Sequence, residues 1–251
     1  MSDLVQTRQD GRVLVVAMDR EHKRNAVNRE LAEGIDAALN RLDDDPEVWV
    51  GVLTGTTTVF SAGTDLAAGG DARTERGGSY GIITRVRRKP LIAAVEGPAL
   101  GGGLEIVLAC DLVVASLTAQ FGLPEVVRGV LPTCGALFRG PRALPVNLAR
   151  ELILTGRPIG AQRAYEVGLV SRVTEAGRAL DEALALAQDI CRNAPLSVQA
   201  CLKAVNDLLG ANDGAGWDAT REALASIQGT ADMEEGVKAF FERRSPAWSG
   251  R

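Results

Sequence analysis

Two glutamates twenty positions apart have neighbours that could make them chemically active. Glu105 closes the run Leu100-Gly101-Gly102-Gly103-Leu104-Glu105, and Glu125 closes Phe121-Gly122-Leu123-Pro124-Glu125. Consecutive glycines let the backbone approach a ligand closely and leave amide N–H groups free to point at it. A carboxylate just after such a turn can move protons while the amides hold a developing oxyanion. This combination predicts an enzyme that stabilises an enolate and shuttles protons with two acids.

Stepping outward, the stretch Leu104 to Cys110 reads as a short apolar helix, so the glycines precede or open a helix N-terminus, where free amides and the helix dipole favour negative charge. Alone, the three glycines also fit a plain tight turn, and Glu105 a surface acid that complements the dipole. They fail the dinucleotide pattern G-x-G-x-x-G, because position 106 is Ile. A second loop of small residues, Phe60-Ser61-Ala62-Gly63-Thr64-Asp65-Leu66, suits backbone amide donation better than nucleophilic or metal chemistry. No base is evident for Ser61 or Thr64, and no ligand cluster for Asp65. Gly77-Gly78-Ser79-Tyr80-Gly81 matches the G-x-S-x-G pattern of hydrolases, but its flanks are loop-like and the single histidine, His22, lies upstream.

The elements that must hold these loops are α/β in character. Val13 to Met18, Val48 to Leu53, Leu91 to Val95, Leu112 to Ala115 and Leu169 to Val173 are continuous apolar runs, as in strands covered on both faces. Asn28 is a helix N-cap candidate ahead of Leu31, Ile35, Ala38, Leu39 and Leu42, and a second helical stripe runs from Leu180 to Cys191. After Asn193-Ala194-Pro195 only helical patterning follows, with Val198, Cys201, Leu202, Val205, Leu208 and Leu209 on one face and a break expected at Ala211 to Gly216. Residues 1–194 therefore read as the core and 195–251 as a helical region. Ala67 to Gly81, with five glycines, reads as a mobile surface loop beside the suspected site.

Composition narrows the function classes. The 251 residues carry a net charge of −4, which argues against a general nucleic-acid surface. Arg85-Val86-Arg87-Arg88-Lys89 is a local exception that reads as a solvated helix end before a strand. The four cysteines form no C-x-x-C pair and, with one histidine, no zinc set, so buried reduced thiols are expected. Met1-Ser2-Asp3 starts no signal-peptide pattern, and no apolar run approaches membrane-span length, so a soluble cytoplasmic protein is expected.

These segments, in this order, resemble the enoyl-CoA hydratase/isomerase (crotonase) family. The resemblance runs from about Val13 to Val173. It includes Asp19 to Asn28 as a first CoA-contacting loop, then Ala109-Cys110-Asp111-Leu112, Gly129-Val130-Leu131-Pro132, Leu154-Thr155-Gly156-Arg157 and Gly168-Leu169-Val170. It implies a spiral of ββα units with a C-terminal helical region used to assemble trimers, often stacked as hexamers. It also implies a thioester carbonyl held between the N–H groups of Thr64 and Gly102. Lys23, Arg24, Ala26, Ala62, Asp65, Leu66 and Ala67 fall on the family's CoA-contacting positions. Ala67 stands where hydratases often carry Lys, and Lys23 or Arg24 are then the cations left for the CoA phosphates or adenine.

Both acidic positions are kept, which favours water addition: Glu105 mainly orienting and deprotonating water, Glu125 mainly exchanging a proton with substrate. The expected activity is enoyl-CoA hydratase, a hydro-lyase acting on a 2-enoyl-CoA. CoA is part of the substrate, and no metal or other cofactor is implied. The alternatives are a 3-enoyl-CoA isomerase using the same oxyanion hole, and a CoA-ester-binding or RNA-binding protein with little turnover. Leu123-Pro124-Glu125 and the ending Arg244 to Arg251 are similar to crotonobetainyl-CoA hydratases. A pocket for that trimethylammonium group predicts surrounding aromatics, for which Tyr80, Phe121, Phe138 and Trp248 are the candidates.

Overall fold

A computed structural model describes residues 4–69 and 72–251, so Met1 to Asp3 and two residues of the glycine-rich loop lie outside the described structure. Strand β1 (Val5–Asp10) pairs antiparallel with β2 (Val13–Met18). Asn28 then caps α1 (Arg29–Asp44), its side chain accepting the Leu31 N–H at 3.0 Å. β3 (Val50–Thr54) follows, and a hairpin of β4 (Arg73–Thr74) and β5 (Gly78–Ser79) leads to β6 (Leu91–Val95). The six-stranded sheet is completed by β8 (Leu112–Ser116) and β11 (Arg172–Thr174), in the order β1-β2-β3-β6-β8-β11, all parallel after the first pair.

A smaller sheet stacks the ends of successive units. After β6 the chain forms β7 (Pro98–Leu100) and then α2 (Gly102–Leu108). After β8 it forms β9 (Gln120–Gly122) and a 3-10 turn over Pro124–Arg128. Ala93 pairs with Val113 in the large sheet while Ala99 pairs with Phe121 in the small one, both parallel. One ββα unit therefore lies directly on the next, the spiral that the resemblance implies. The strands are covered on both faces: Leu14, Val16, Leu53, Ala93 and Ala115 face α1 and the main core, while Val13, Val52, Ile92 and Val114 face α6 (Ala179–Cys191). Continuous apolar runs are what such burial requires.

The remaining elements are α3 (Ala136–Ala143), α4 (Val146–Thr155), β10 (Ile159–Gly160), α5 (Ala161–Glu166), α7 (Pro195–Gly210), α8 (Asp213–Ile227) and α9 (Ala231–Glu242). Several expectations are corrected here. The helical break falls at residues 211–212, and Gly214 and Gly216 lie inside α8, where Gly216 faces the Phe138 ring. Leu169 and Val170 are buried in the turn before β11 rather than in a strand. β1 is a strand despite its polar sequence, because the backbone of β2 supplies its partners at an exposed edge.

The basic run is not a solvated helix end. Arg85 is buried against Asp36 (2.5 Å) and Asp43 (3.4 Å), Arg87 pairs with Asp111 (2.6 Å), and Lys89 donates to the Asp45 carbonyl (2.6 Å). Val86 (90% exposed) and Arg88 stand out, although the Arg88 guanidinium still reaches the Asp43 carbonyl (3.4 Å). These cations tie α1 and the start of β8 to the approach to β6. The described part of the glycine-rich loop is packed only in part: Ala72 and Tyr80 are buried and Thr74 Oγ1 donates to Asp36 at 2.9 Å, while Ala67 to Gly69, Arg73, Glu75 and Arg76 are exposed at the surface. Not all thiols are buried: Cys134 is buried, Cys110 and Cys191 are partly so, and Cys201 is exposed on α7. All four are unbridged. The α7 stripe is also open, with Cys201, Val205, Leu208 and Leu209 exposed and Val198 and Leu202 half-buried. No helix of the described residues is long and apolar enough to cross a membrane.

Candidate active site

The loop after β3 and the glycine run after β7 are fastened together by backbone bonds. Leu100 N donates to Ser61 O (3.0 Å), and Gly101 N donates to Gly122 O (2.9 Å). Gly63 is needed at this junction: it has φ +88, and a Cβ there would lie 2.7 Å from Gly102 N. Thr64 is held from the other side, where Val27 N donates to Gly63 O and Asp65 N to Val27 O. Neither the Thr64 nor the Gly102 N–H donates to another described residue, so both remain available at one edge of the cavity. Gly102 is the first residue of α2, where backbone donors have no intrahelical acceptor.

The cavity, about 320 Å³, also brings together Glu105 and Glu125. Glu105 is only 2% exposed, and its Oε1 accepts from Cys134 N (2.7 Å) and Ala136 N (3.1 Å). These amides open α3 and fix one carboxyl oxygen. Burial outweighs them and pushes Glu105 up to about 7. Glu125 sits on the 3-10 turn with one carboxyl oxygen beside Gly101 and the other, Oε2, buried with no partner among the described residues. Burial first, and then the nearby Glu105 charge, push Glu125 up to about 8. Both carboxyls are therefore held in their acid forms up to near neutrality, one anchored by two amides and one unanchored at Oε2.

The hydroxyl side of the cavity was less legible. Tyr80 adopts a left-handed backbone (φ 58) that turns its ring inward, and its hydroxyl lies 2.6 Å from Thr64 Oγ1. Burial holds that phenol well above its ordinary pKa. Cys134 lies beside Tyr80 and Glu105, and burial raises its thiol to about 11, an inert neutral group. Leu224 of α8 and Met233 of α9 close another side. The basic run Arg85–Lys89 takes no part.

Of the predicted residues, Ala62, Thr64, Leu66, Gly102, Glu105 and Glu125 line this cavity. Lys23, Arg24, Ala26, Asp65 and Ala67 do not. Lys23 ends an exposed 3-10 turn, and the Arg24 carbonyl receives Ala62 N at 2.9 Å. The Ala26 carbonyl receives Arg20 Nη1 at 2.8 Å. Asp65 is a buttress: it pairs with Arg20 (2.6 Å) and accepts Ala67 N (3.1 Å). Among the candidate aromatics only Tyr80 lines the cavity. Phe121 is core, Phe138 packs edge-on against Trp217 at 4.9 Å, and Trp248 lines a neighbouring cleft. No group of three or more His, Cys, Asp or Glu side chains among the described residues is arranged for a metal.

Known proteins are similar to this chain in sequence and fold. The model of the family described as Enoyl-CoA hydratase/isomerase matches residues 8–251. The enoyl-CoA hydratase EchA19 of Mycobacterium tuberculosis is 38% identical, covering 96% of this chain and 94% of its own. A 2,3-dehydroadipyl-CoA hydratase of Escherichia coli is 37% identical across 100% of both chains. The crystal structure of a carnitinyl-CoA hydratase from Mycobacterium avium superimposes with a TM-score of 0.94, at 39% identity over 100% of both chains.

Proposed function

The chain belongs to the enoyl-CoA hydratase/isomerase family, and we propose that it is an enoyl-CoA hydratase, adding water reversibly across the 2,3 double bond of a 2-enoyl-CoA thioester. The observation that carries this reading is the pair of buried carboxyls on one cavity, with unlike hydrogen bonding and pKa values raised to about 7 and about 8. The thioester oxygen accepts from the N–H groups of Thr64 and Gly102. Glu105, with Oε1 anchored, uses its other oxygen to orient a water and take its proton as the water oxygen bonds to C3. The π electrons move onto the thioester oxygen as an enolate, which the two amides stabilise. Glu125 in its acid form then protonates C2, and proton exchange through solvent resets the pair.

The double anchoring of Glu105 supports water addition over double-bond isomerisation, which needs only one mobile acid. CoA enters as part of the substrate, and the chemistry requires no separate cofactor. A cytoplasmic homotrimer, or two stacked trimers, is part of the same proposal. The open apolar row Val205, Leu208 and Leu209 on α7 supports such assembly.

The test follows the ultraviolet absorbance of the conjugated thioester of crotonyl-CoA, with mass detection of the added water. Wild type should consume the chromophore, and Glu105→Ala and Glu125→Ala should each lose roughly 100- to 10,000-fold in rate. Double-bond movement without water uptake would replace hydratase by isomerase. Unaltered rates in both variants would sink the two-acid mechanism.

A further inference from the structure

We propose that Tyr80 is the positioning residue of the oxyanion hole: its phenol fixes the two amide-bearing residues, Thr64 and Gly102, at the spacing that the thioester oxygen requires. This rests on the hydratase reading and adds to it a residue that acts on the reaction through those two. Tyr80 directly follows β5 with φ 58, a backbone that bulky side chains rarely adopt and that the surrounding structure must hold in place. Two hydrogen bonds and one close approach hold it. Tyr80 N donates to Ala72 O at 2.8 Å, and Gly81 N donates to Gly78 O at 3.2 Å. The turn also presses on α1, where a Cβ at Gly81 would lie 2.3 Å from the Ala32 carbonyl. The ring therefore enters the cavity from a rigid mount.

The phenol meets both donor residues. Its hydroxyl lies 2.6 Å from Thr64 Oγ1. A Cβ at Gly102 would lie 2.6 Å from Tyr80 Oη and 2.8 Å from Cε2 and Cζ, so the ring edge rests on the Gly102 backbone. Val27 grips the Thr64 peptide from the outer side, through Gly63 O and Asp65 N, and Tyr80 grips Thr64 from the cavity side. On its other flank the phenol meets Cys134, whose N–H anchors Glu105 Oε1 at 2.7 Å, so the same ring abuts the segment that holds the base. Packing alone does not explain the hydroxyl. Phenylalanine fills the same volume without a polar atom to desolvate, and Tyr80 is only 4% exposed. The bond that the hydroxyl adds goes to the side chain of a hole residue. Amides act on a developing oxyanion only when they are held in place beforehand, and a small displacement of one is costly.

The experiment takes two readouts on wild type, Tyr80→Phe, Thr64→Val and the double variant, with Thr64→Ser as the conservative control. One is hydration of crotonyl-CoA. The other, independent of turnover, is the infrared band of the carbon-13-labelled thioester carbonyl of butyryl-CoA bound to each protein, which a well-held hole moves to lower frequency. Tyr80→Phe should lower kcat roughly 5- to 30-fold, as expected for one buried hydrogen bond, with KM altered by less than about 2-fold. It should also lose part of the carbonyl shift at unchanged affinity. Thr64→Val keeps the backbone N–H and should lose as much, the double variant no more than either single one, while Thr64→Ser stays near wild type. The proposal is overturned if Tyr80→Phe keeps the wild-type kcat and carbonyl shift, or if the two single losses multiply in the double variant. It is overturned too if the loss falls on KM and binding with the band unmoved, or if butyryl-CoA binds wild type with no shift at all. Where one variant fails to fold, the other reads the same bond from its far end. Should wild type hydrate nothing, the hydratase reading fails separately and the carbonyl band still decides: a shift that weakens in Tyr80→Phe and Thr64→Val upholds the role of Tyr80, and a shift indifferent to both removes it.

Discussion

Replacing Glu125 by Gln should stabilise the protein at alkaline pH while removing its proton-transfer capacity. The native carboxyl holds its proton up to about 8, against an ordinary value of 4.5, chiefly because ionisation would place a charge in a desolvated cavity. Between these values the native state binds more protons than the unfolded chain, so stability falls as pH rises through the window. Below about 4.5 both states are protonated and there is no penalty; above about 8 the penalty is complete. A displacement of that size corresponds to about 5 kcal/mol at full ionisation, and partial solvation of the turn reduces the expected gain to about 3–5 kcal/mol. Glutamine has nearly the shape of the protonated acid but no charge to desolvate. Urea unfolding at equal protein concentration, followed by tryptophan fluorescence, should give the variant this advantage at about pH 9 and almost none at about pH 5. If wild type loses no more stability than Glu125→Gln between those conditions, the buried-acid argument is refuted.

The same two acids should give a bell-shaped kcat/KM profile for hydration, rising through about 7 as Glu105 ionises and falling through about 8 as Glu125 loses its proton. A flat profile from about pH 6 to about pH 9 would contradict the assignment. Gly63→Ala, whose Cβ would lie 2.7 Å from Gly102 N and 2.9 Å from Leu100 O, should separate the two oxyanion donors. It should lower kcat roughly 100- to 1,000-fold, and full activity would show that these amides do not act together. Arg85→Ala strands the carboxylates of Asp36 and Asp43 on α1 and should cost about 3–5 kcal/mol in denaturant unfolding. A change below about 1 kcal/mol would return the basic run to the surface role that its sequence suggests.

What the sequence determined by itself was whatever depends on near neighbours. Asn28 is a cap because its side chain reaches Leu31 three residues on, and the β6 and β8 runs are apolar throughout because both faces are covered. The glycines of the 101–103 run announced a backbone approach because a side chain at Gly102 would strike Tyr80. Motif order carried the family, and with it the positions of Glu105 and Glu125. Tertiary structure decided what depends on distant partners. Nothing local says that Cys134 and Ala136 donate to Glu105, since burial and those two amides set its proton affinity from thirty residues away. A run of four cations looks solvated until Asp36, Asp43 and Asp111 arrive from other elements to neutralise it. Asp65 falls on a CoA-contacting position of the family by resemblance, and only the fold shows Arg20 claiming its carboxylate. The stripe on α7 has the spacing of a buried face yet stays exposed, because periodicity encodes which residues need cover, and the fold of one chain decides whether it supplies that cover.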